Sequence, residues 1–142
     1  MEKMNPDEIN RFLMKGTFTG KLGTINKDGS SHITPIWYIL DENNYITFTT
    51  YFKSVKAKNL IRDSRISICV DDQTPPFSFV LVNGSAKVFS QPEDLLRWTT
   101  KISERYMGKE LSLEYGKRNA IEGELLVKVI PTKINGQKNI SN

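Results

Sequence analysis

The chain is short of the residues that most metal and hydrolytic centres require. It has one cysteine, Cys69, and one histidine, His32. A single cysteine excludes an internal disulfide and any Cys-x-x-Cys metal site. Cys69 sits in an apolar strand pattern, where core packing is its simplest role. A single histidine excludes multi-histidine metal centres and leaves one candidate for a hydrolytic triad. An exposed strand position is the simpler account of His32. No apolar run approaches the roughly 20 residues of a membrane-spanning helix, so no membrane partner is expected. Met1 to Asp7 contains no signal-peptide core, which points to a cytoplasmic protein. Internal repeats and low-complexity segments are absent.

What is present suits one soluble domain. The 142 residues are 38% hydrophobic and 25% charged, enough for a single hydrophobic core spanning 1–142. The formal net charge is +4. Residues 53–65 alone hold five basic side chains (Lys53, Lys56, Lys58, Arg62, Arg65) and one acid, Asp63, a local balance equal to that of the whole chain. The excess positive charge is therefore local.

Taken in order, Asn5, Pro6 and Glu8 give a capped helix start, with Ile9, Phe12 and Leu13 as its apolar stripe and Gly16 as its stop. Thr17 to Ile25 reads as a strand, turned by Asp28-Gly29 into a return strand over Ser30 to Leu40. Pro35 makes that strand edge-like or bulged. A third strand covers Tyr45 to Tyr51. A short helix follows from Ser54, with Ala57, Leu60 and Ile61 on its apolar face. Ile66 to Asp72 and Phe77 to Phe89 are strands four and five, the latter bent at Asn83-Gly84. Ser90, Pro92 and Glu93 form a capping-box signal for a helix to about Met107, with Leu95, Thr99, Ile102 and Tyr106 in one stripe. Gly108 to Ala120 reads as a polar connection with a helical turn at Leu111 to Tyr115. Ile121 to Ile134 is the last strand, and Asn135 to Asn142 is expected to fray. Six strands, mostly hairpin-joined and without repeated βαβ units, predict a mainly β, six-stranded antiparallel barrel with peripheral helices.

The stretch Phe48 to Arg62 is the candidate site. A helix N-terminus offers free amides and the positive end of a dipole, and attracts phosphate. Ser54 can add a hydroxyl, and Lys53, Lys56 and Lys58 surround that end. A serine cap with solvated lysines is the plainer alternative; the concentration of charge favours the phosphate.

Six runs in this order carry a family resemblance: Leu22 to Trp37, Phe48 to Thr50, Ser54 to Leu60, Arg62 to Asp71, Pro75 to Gly84, and Val129 to Lys133. Together they resemble the pyridoxamine 5′-phosphate oxidase-like superfamily of FMN-binding split barrels. The likeness is greatest to its small single-domain subgroup named for deazaflavin (coenzyme F-420) or FMN dependence. It covers about residues 8–133. The resemblance implies a split-barrel homodimer with cofactor sites at the subunit interface. It implies that Ser54 and Lys56, a Ser-x-Lys pair, hold the cofactor phosphate, with Lys58 and Asn59 nearby. Pro35, Ile36 and Trp37 would run beside the ring, Thr49 and Thr50 would bond ring or ribityl, and Phe77 and Phe79 would cover the site from the other subunit. It implies FMN as cofactor, with deazaflavin F-420 as the alternative, no catalytic side chain and no metal. Two departures argue against a true pyridoxine 5′-phosphate oxidase. Val55 stands where those enzymes carry Arg, and the C-terminal segment after Thr132 has no His.

The expected function is a flavin-dependent oxidoreductase acting on a small molecule. A non-catalytic carrier or sensor of flavin, deazaflavin or haem is the second reading. Nucleic-acid binding, with Phe48, Tyr51 and Phe52 as a stacking strip, is disfavoured because the basic patch is only 13 residues long.

Overall fold

Asn5 opens the first helix through a complete capping box in the computed structural model, which describes residues 1–142. Its Oδ1 accepts the Glu8 amide at 2.9 Å, and the Glu8 carboxylate accepts the Asn5 amide at 3.1 Å. The elements in chain order are β1 (Glu2–Lys3), α1 (Pro6–Leu13), β2 (Gly20–Ile25), β3 (Ser31–Ile36), β4 (Ile39–Leu40), β5 (Ile46–Tyr51) and α2 (Val55–Arg62). They continue with β6 (Arg65–Asp72), β7 (Ser78–Phe89), α3 (Leu95–Met107), α4 (Ser112–Asn119) and β8 (Glu124–Lys138).

All strands belong to one antiparallel sheet in the order β3-β2-β6-β7-β8-β5-β4, with β1 added to β8. One face of the sheet alternates inward: Leu22, Phe48, Ile68, Val70, Val80, Val82, Val127 and Val129 are buried in a single cluster of 17 residues. That cluster draws on strands from both halves of the order, so the sheet curls around it. Each such side chain contributes about 1.5–3 kcal/mol on burial.

The expected single strand over Ser30 to Leu40 is interrupted at Trp37–Tyr38. β3 pairs with β2, and β4 pairs with β5, at opposite ends of the strand order. The chain itself, not a hydrogen-bond ladder, joins the two edges of the curled sheet. Pro35 lacks an amide to extend a ladder, and the buried Tyr38 anchors the crossing. Its hydroxyl donates to the Leu13 carbonyl at 2.5 Å. Counting β3 and β4 as one strand, the six expected strands are all present, forming the split barrel.

Three local expectations are corrected. Ile61 is 64% exposed, while Asn59 is buried on α2 beside Ala57 and Leu60. α3 begins at Leu95 rather than after Ser90, and Asp94 caps it in a left-handed conformation (φ 55°) without a side-chain bond. β7 keeps its ladder to Phe89, opposite Leu126, and the chain needs the next residues to turn away from the sheet. The polar connection after Gly108 is a 3-10 turn, Lys109–Leu111, followed by the full helix α4. Gly116 permits this: a Cβ there would lie 2.2 Å from the Thr100 hydroxyl, so only glycine lets α4 approach α3 so closely. The Thr99 hydroxyl donates to the Gly116 carbonyl at 2.8 Å.

The tail does not fray. β8 runs to Lys138, pairing Gln137 with Phe79 on one side and with Lys3 of β1 on the other. Pro131 is absorbed by an irregularity at Asn83/Gly84 in β7, where a Cβ on Gly84 would meet the Ile130 carbonyl at 2.2 Å. β1 then continues into the Met4 amide, which donates to the Gly136 carbonyl at 2.8 Å. No helix is long and apolar enough to cross a membrane.

Candidate functional site

Ser54 ends β5 and starts α2 in extended geometry (φ −66°, ψ 154°). Its hydroxyl accepts the Ala57 amide at 3.2 Å and shares a 2.8 Å hydrogen bond with the Thr50 hydroxyl. The Val55 and Lys56 amides, at the first two helical positions, have no intrahelical acceptor. The first turn of α2 holds no acidic residue. The N-terminus therefore presents donors and a positive dipole end to whatever lies beyond it.

A hollow of about 390 Å³ opens there. Six of the sequence-predicted residues line it together: Pro35 and Trp37 from the seam crossing, Thr49 and Thr50 from β5, and Ser54 and Lys56 from α2. Residues far apart in sequence meet because β4 pairs with β5, which brings the seam crossing beside the β5–α2 corner. The Trp37 ring is held in a parallel stack on Tyr106 of α3, with centroids 5.1 Å apart and planes 5° from parallel. The Tyr106 hydroxyl accepts the Tyr38 amide at 3.2 Å and donates to the Phe18 carbonyl at 2.8 Å, fixing the ring beneath Trp37.

Lys56 is half-buried, and no carboxylate lies within 4.0 Å of it. Burial pushes its pKa down, and the more distant Glu124 pulls it partly back. A desolvated ammonium with no contact partner favours an anion in the hollow.

The other expected site residues are placed elsewhere. Ile36 points into the core. Lys58 is exposed on the far side of the α2 turn. The buried Asn59 amide donates to the Thr24 hydroxyl and to Asn26 Oδ1, each at 3.0 Å, and its oxygen accepts Arg62 at 2.9 Å. That side chain ties α2 to β2 and its hairpin turn. Phe77 and Phe79 do not line this chain's hollow. The basic cluster also divides. Arg62 donates to the Ile25 carbonyl, Arg65 is paired with Asp63, and Lys53 lies over the Phe52 ring at 5.6 Å. Lys56 is the one cation of that cluster in the hollow.

The sequence reading missed four lining residues: Tyr51, Ile102, Asn119 and Glu124. Asn119 and Ile102 come from α4 and α3, and the sequence around α4 predicts only a polar connection with a helical turn at Leu111 to Tyr115. Glu124 opens β8 and faces Tyr51 across the ladder. Burial pushes its carboxyl pKa up, while the Thr49 hydroxyl and the Lys56 ammonium hold it down.

The arrangement defines a class: a small split barrel with an anion-seeking helix N-terminus beside an aromatic shelf. The family described as pyridoxamine 5′-phosphate oxidase matches residues 6–138, and the chain belongs to that family. Among solved structures, a conserved hypothetical protein of Mycobacterium tuberculosis is 29% identical, with a TM-score of 0.83 over 97% of this chain and 87% of the other. A structure described as an F420 reductase is 22% identical, with a TM-score of 0.72 over 87% of this chain and 94% of the other. The FAD-binding protein of Mycobacterium smegmatis is 21% identical, with a TM-score of 0.64 over 96% and 98%. No curated protein matches the chain.

Proposed function

We propose that this chain is a flavin-type oxidoreductase that holds the phosphate of its cofactor at the β5–α2 corner, in a homodimer. The observation that carries the reading is the half-buried, unpaired Lys56 beside the free amides of α2, in one hollow with Trp37, Thr49 and Thr50. The donor set fits the group: amides, a hydroxyl and an ammonium for phosphate, and a stacked indole with threonine hydroxyls for a polar ring. FMN is the cofactor favoured by breadth within the superfamily. A deazaflavin is the second reading, supported by the likeness to an F420 reductase and by the Glu124 carboxylate in the hollow.

The bound ring supplies the hydride chemistry. Lys56 and the Val55 and Lys56 amides bind the phosphate. Thr50 and Ser54 hold each other's hydroxyls in place, which orients both toward the hollow. Tyr106 keeps Trp37 flat. A small-molecule substrate would meet the ring's open face, with Phe77 and Phe79 of the second copy closing over it.

Lys56→Ala tests the assignment. It removes one charge-assisted contact, worth about 1.5–3 kcal/mol, so the Kd for FMN, read by flavin fluorescence, should rise about 10- to 100-fold. An unchanged Kd would count against the phosphate site. Oxidation of NAD(P)H by the loaded protein separates an enzyme from a carrier.

A further inference from the structure

Lys56 and Glu124 are the only charged residues lining the hollow. Their formal charges cancel, leaving the partial charge of the α2 N-terminus as the site's net attraction for an anion. A site built for a dianion would gain from a second cation there; this one has a carboxylate. The position is enforced by the fold, because Glu124 faces Tyr51 at the first rung of the β5–β8 ladder, two rungs from Thr49. It is half-buried, and the hydroxyl beside it belongs to Thr49, also in the hollow. None of its neighbours is a salt-bridge partner, so ion pairing does not explain its retention inside.

We propose that Glu124 is a specificity-determining residue that biases the hollow toward a phosphate carrying one negative charge, as in a phosphodiester, over the dianion of a phosphomonoester. This rests on the proposed phosphate site and, of the two cofactors named there, weighs toward the deazaflavin and against FMN. FMN ends in a monoester, which is dianionic well above its second pKa of about 6. Coenzyme F-420 carries its phosphate as a diester with one charge, whereas the pyrophosphate of FAD carries two charges on adjacent phosphorus atoms, as many as FMN. The repulsion from one carboxylate scales with the charge of the group it faces. A dianion is therefore penalised about twice as strongly, in free energy, as a monoanion at the same place.

The test compares wild type with Glu124→Gln at pH 8, using fluorescence or calorimetric Kd values for FMN, the methyl phosphodiester of FMN and riboflavin, with each ligand referred to itself. At several ångströms and an effective dielectric between protein and water, the substitution should tighten FMN about tenfold. The methyl diester should tighten about threefold, and riboflavin, which has no phosphate, should not change. Equal changes for all three ligands, or none for FMN, would overturn the proposal. Weaker riboflavin binding would also overturn it, because Glu124 would then be an acceptor for a ribityl hydroxyl. If Glu124→Gln is poorly folded by circular dichroism, Glu124→Asp draws the charge back by one methylene and should show the same ranking at smaller size. Lys56→Ala, measured in parallel, keeps the two ideas apart. FMN affinity insensitive to Lys56 removes the phosphate site, whereas sensitivity to Lys56 without ligand discrimination at Glu124 removes only this refinement.

Discussion

Asp41 shows how a single buried charge is retained. Its carboxylate is almost fully buried, accepts the Asn43 and Tyr45 amides at 2.9 Å each, and pairs with Lys128 at 2.8 Å. Burial pushes its pKa up, but the Lys128 ammonium and the two amides outweigh burial and hold it below its ordinary 3.8. A folded pKa below the unfolded one means that ionised Asp41 stabilises the fold fully above about pH 4, and that this stabilisation is lost as pH falls through the folded value. Urea midpoints measured from pH 6 down to pH 3 should therefore decline below pH 4. Asp41→Asn should flatten that decline and cost about 2–4 kcal/mol at pH 7, because Lys128, in a largely buried position, loses its close partner and keeps only the exposed Glu42 at 4.0 Å. An unchanged slope in the variant would place the acid sensitivity elsewhere. Asn59 belongs to the same scale. Its buried amide has three partners within the chain, which seat α2 against β2.

Among the elements, β8 has the widest reach. It pairs with β7, β5 and β1, and its last residues close the ladder over Gly136, where α1 packs so tightly that a Cβ would lie 2.9 Å from Ile9. Asn135 to Lys138 are polar or small, which reads as a loose tail, yet Asn135 to Gln137 form the rungs opposite Phe79 to Leu81 and Lys138 pairs with Glu2. Deleting residues 134–142 should strip those rungs, detach β1 and expose the inner face of β7 at Val80. We expect the Tm to fall by 10 °C or more, on the scale of about 4 °C per kcal/mol for a domain of this size, measured by circular dichroism. A Tm within 2 °C or so of wild type would show the segment to be dispensable. α4 teaches the same lesson from the other side. Its glycine looks like a helix breaker, but serves as the contact point with Thr100.

For the whole molecule, the outer face of β3-β2-β6-β7 bears on assembly. Ile33 is 69% exposed, and Leu81 is 38% exposed, on strands whose intervening positions, Gly23 and Ser67, are small. Exposed apolar side chains on the outside of the curled sheet, beside small neighbours, suit contact with a second copy of the chain. The homodimer proposed above should appear in light scattering at about twice the 16.2 kDa chain mass. Ile33→Asp should shift it to the monomer and weaken FMN retention together, if the second copy completes the site. A monomeric wild type at micromolar concentration would leave Phe77 and Phe79 without the covering role expected of them.

Local chemistry determined much of this molecule before any contact was considered. The capping box at Asn5, the Ser54 cap, the alternation of the long strands and the six-strand count follow from interactions within a few residues, and all are readable in the chain. So is membership of the split-barrel family, which rests on the order of short runs. Only the tertiary structure decided which lysine faces the hollow, because helix phase relative to the barrel, not spacing along α2, separates Lys56 from Lys58 and Arg62. It also decided that Glu124 and Asn119 join Ser54. Strand pairing and helix docking bring these residues together across about 70 positions of sequence, a distance at which no local pattern carries information.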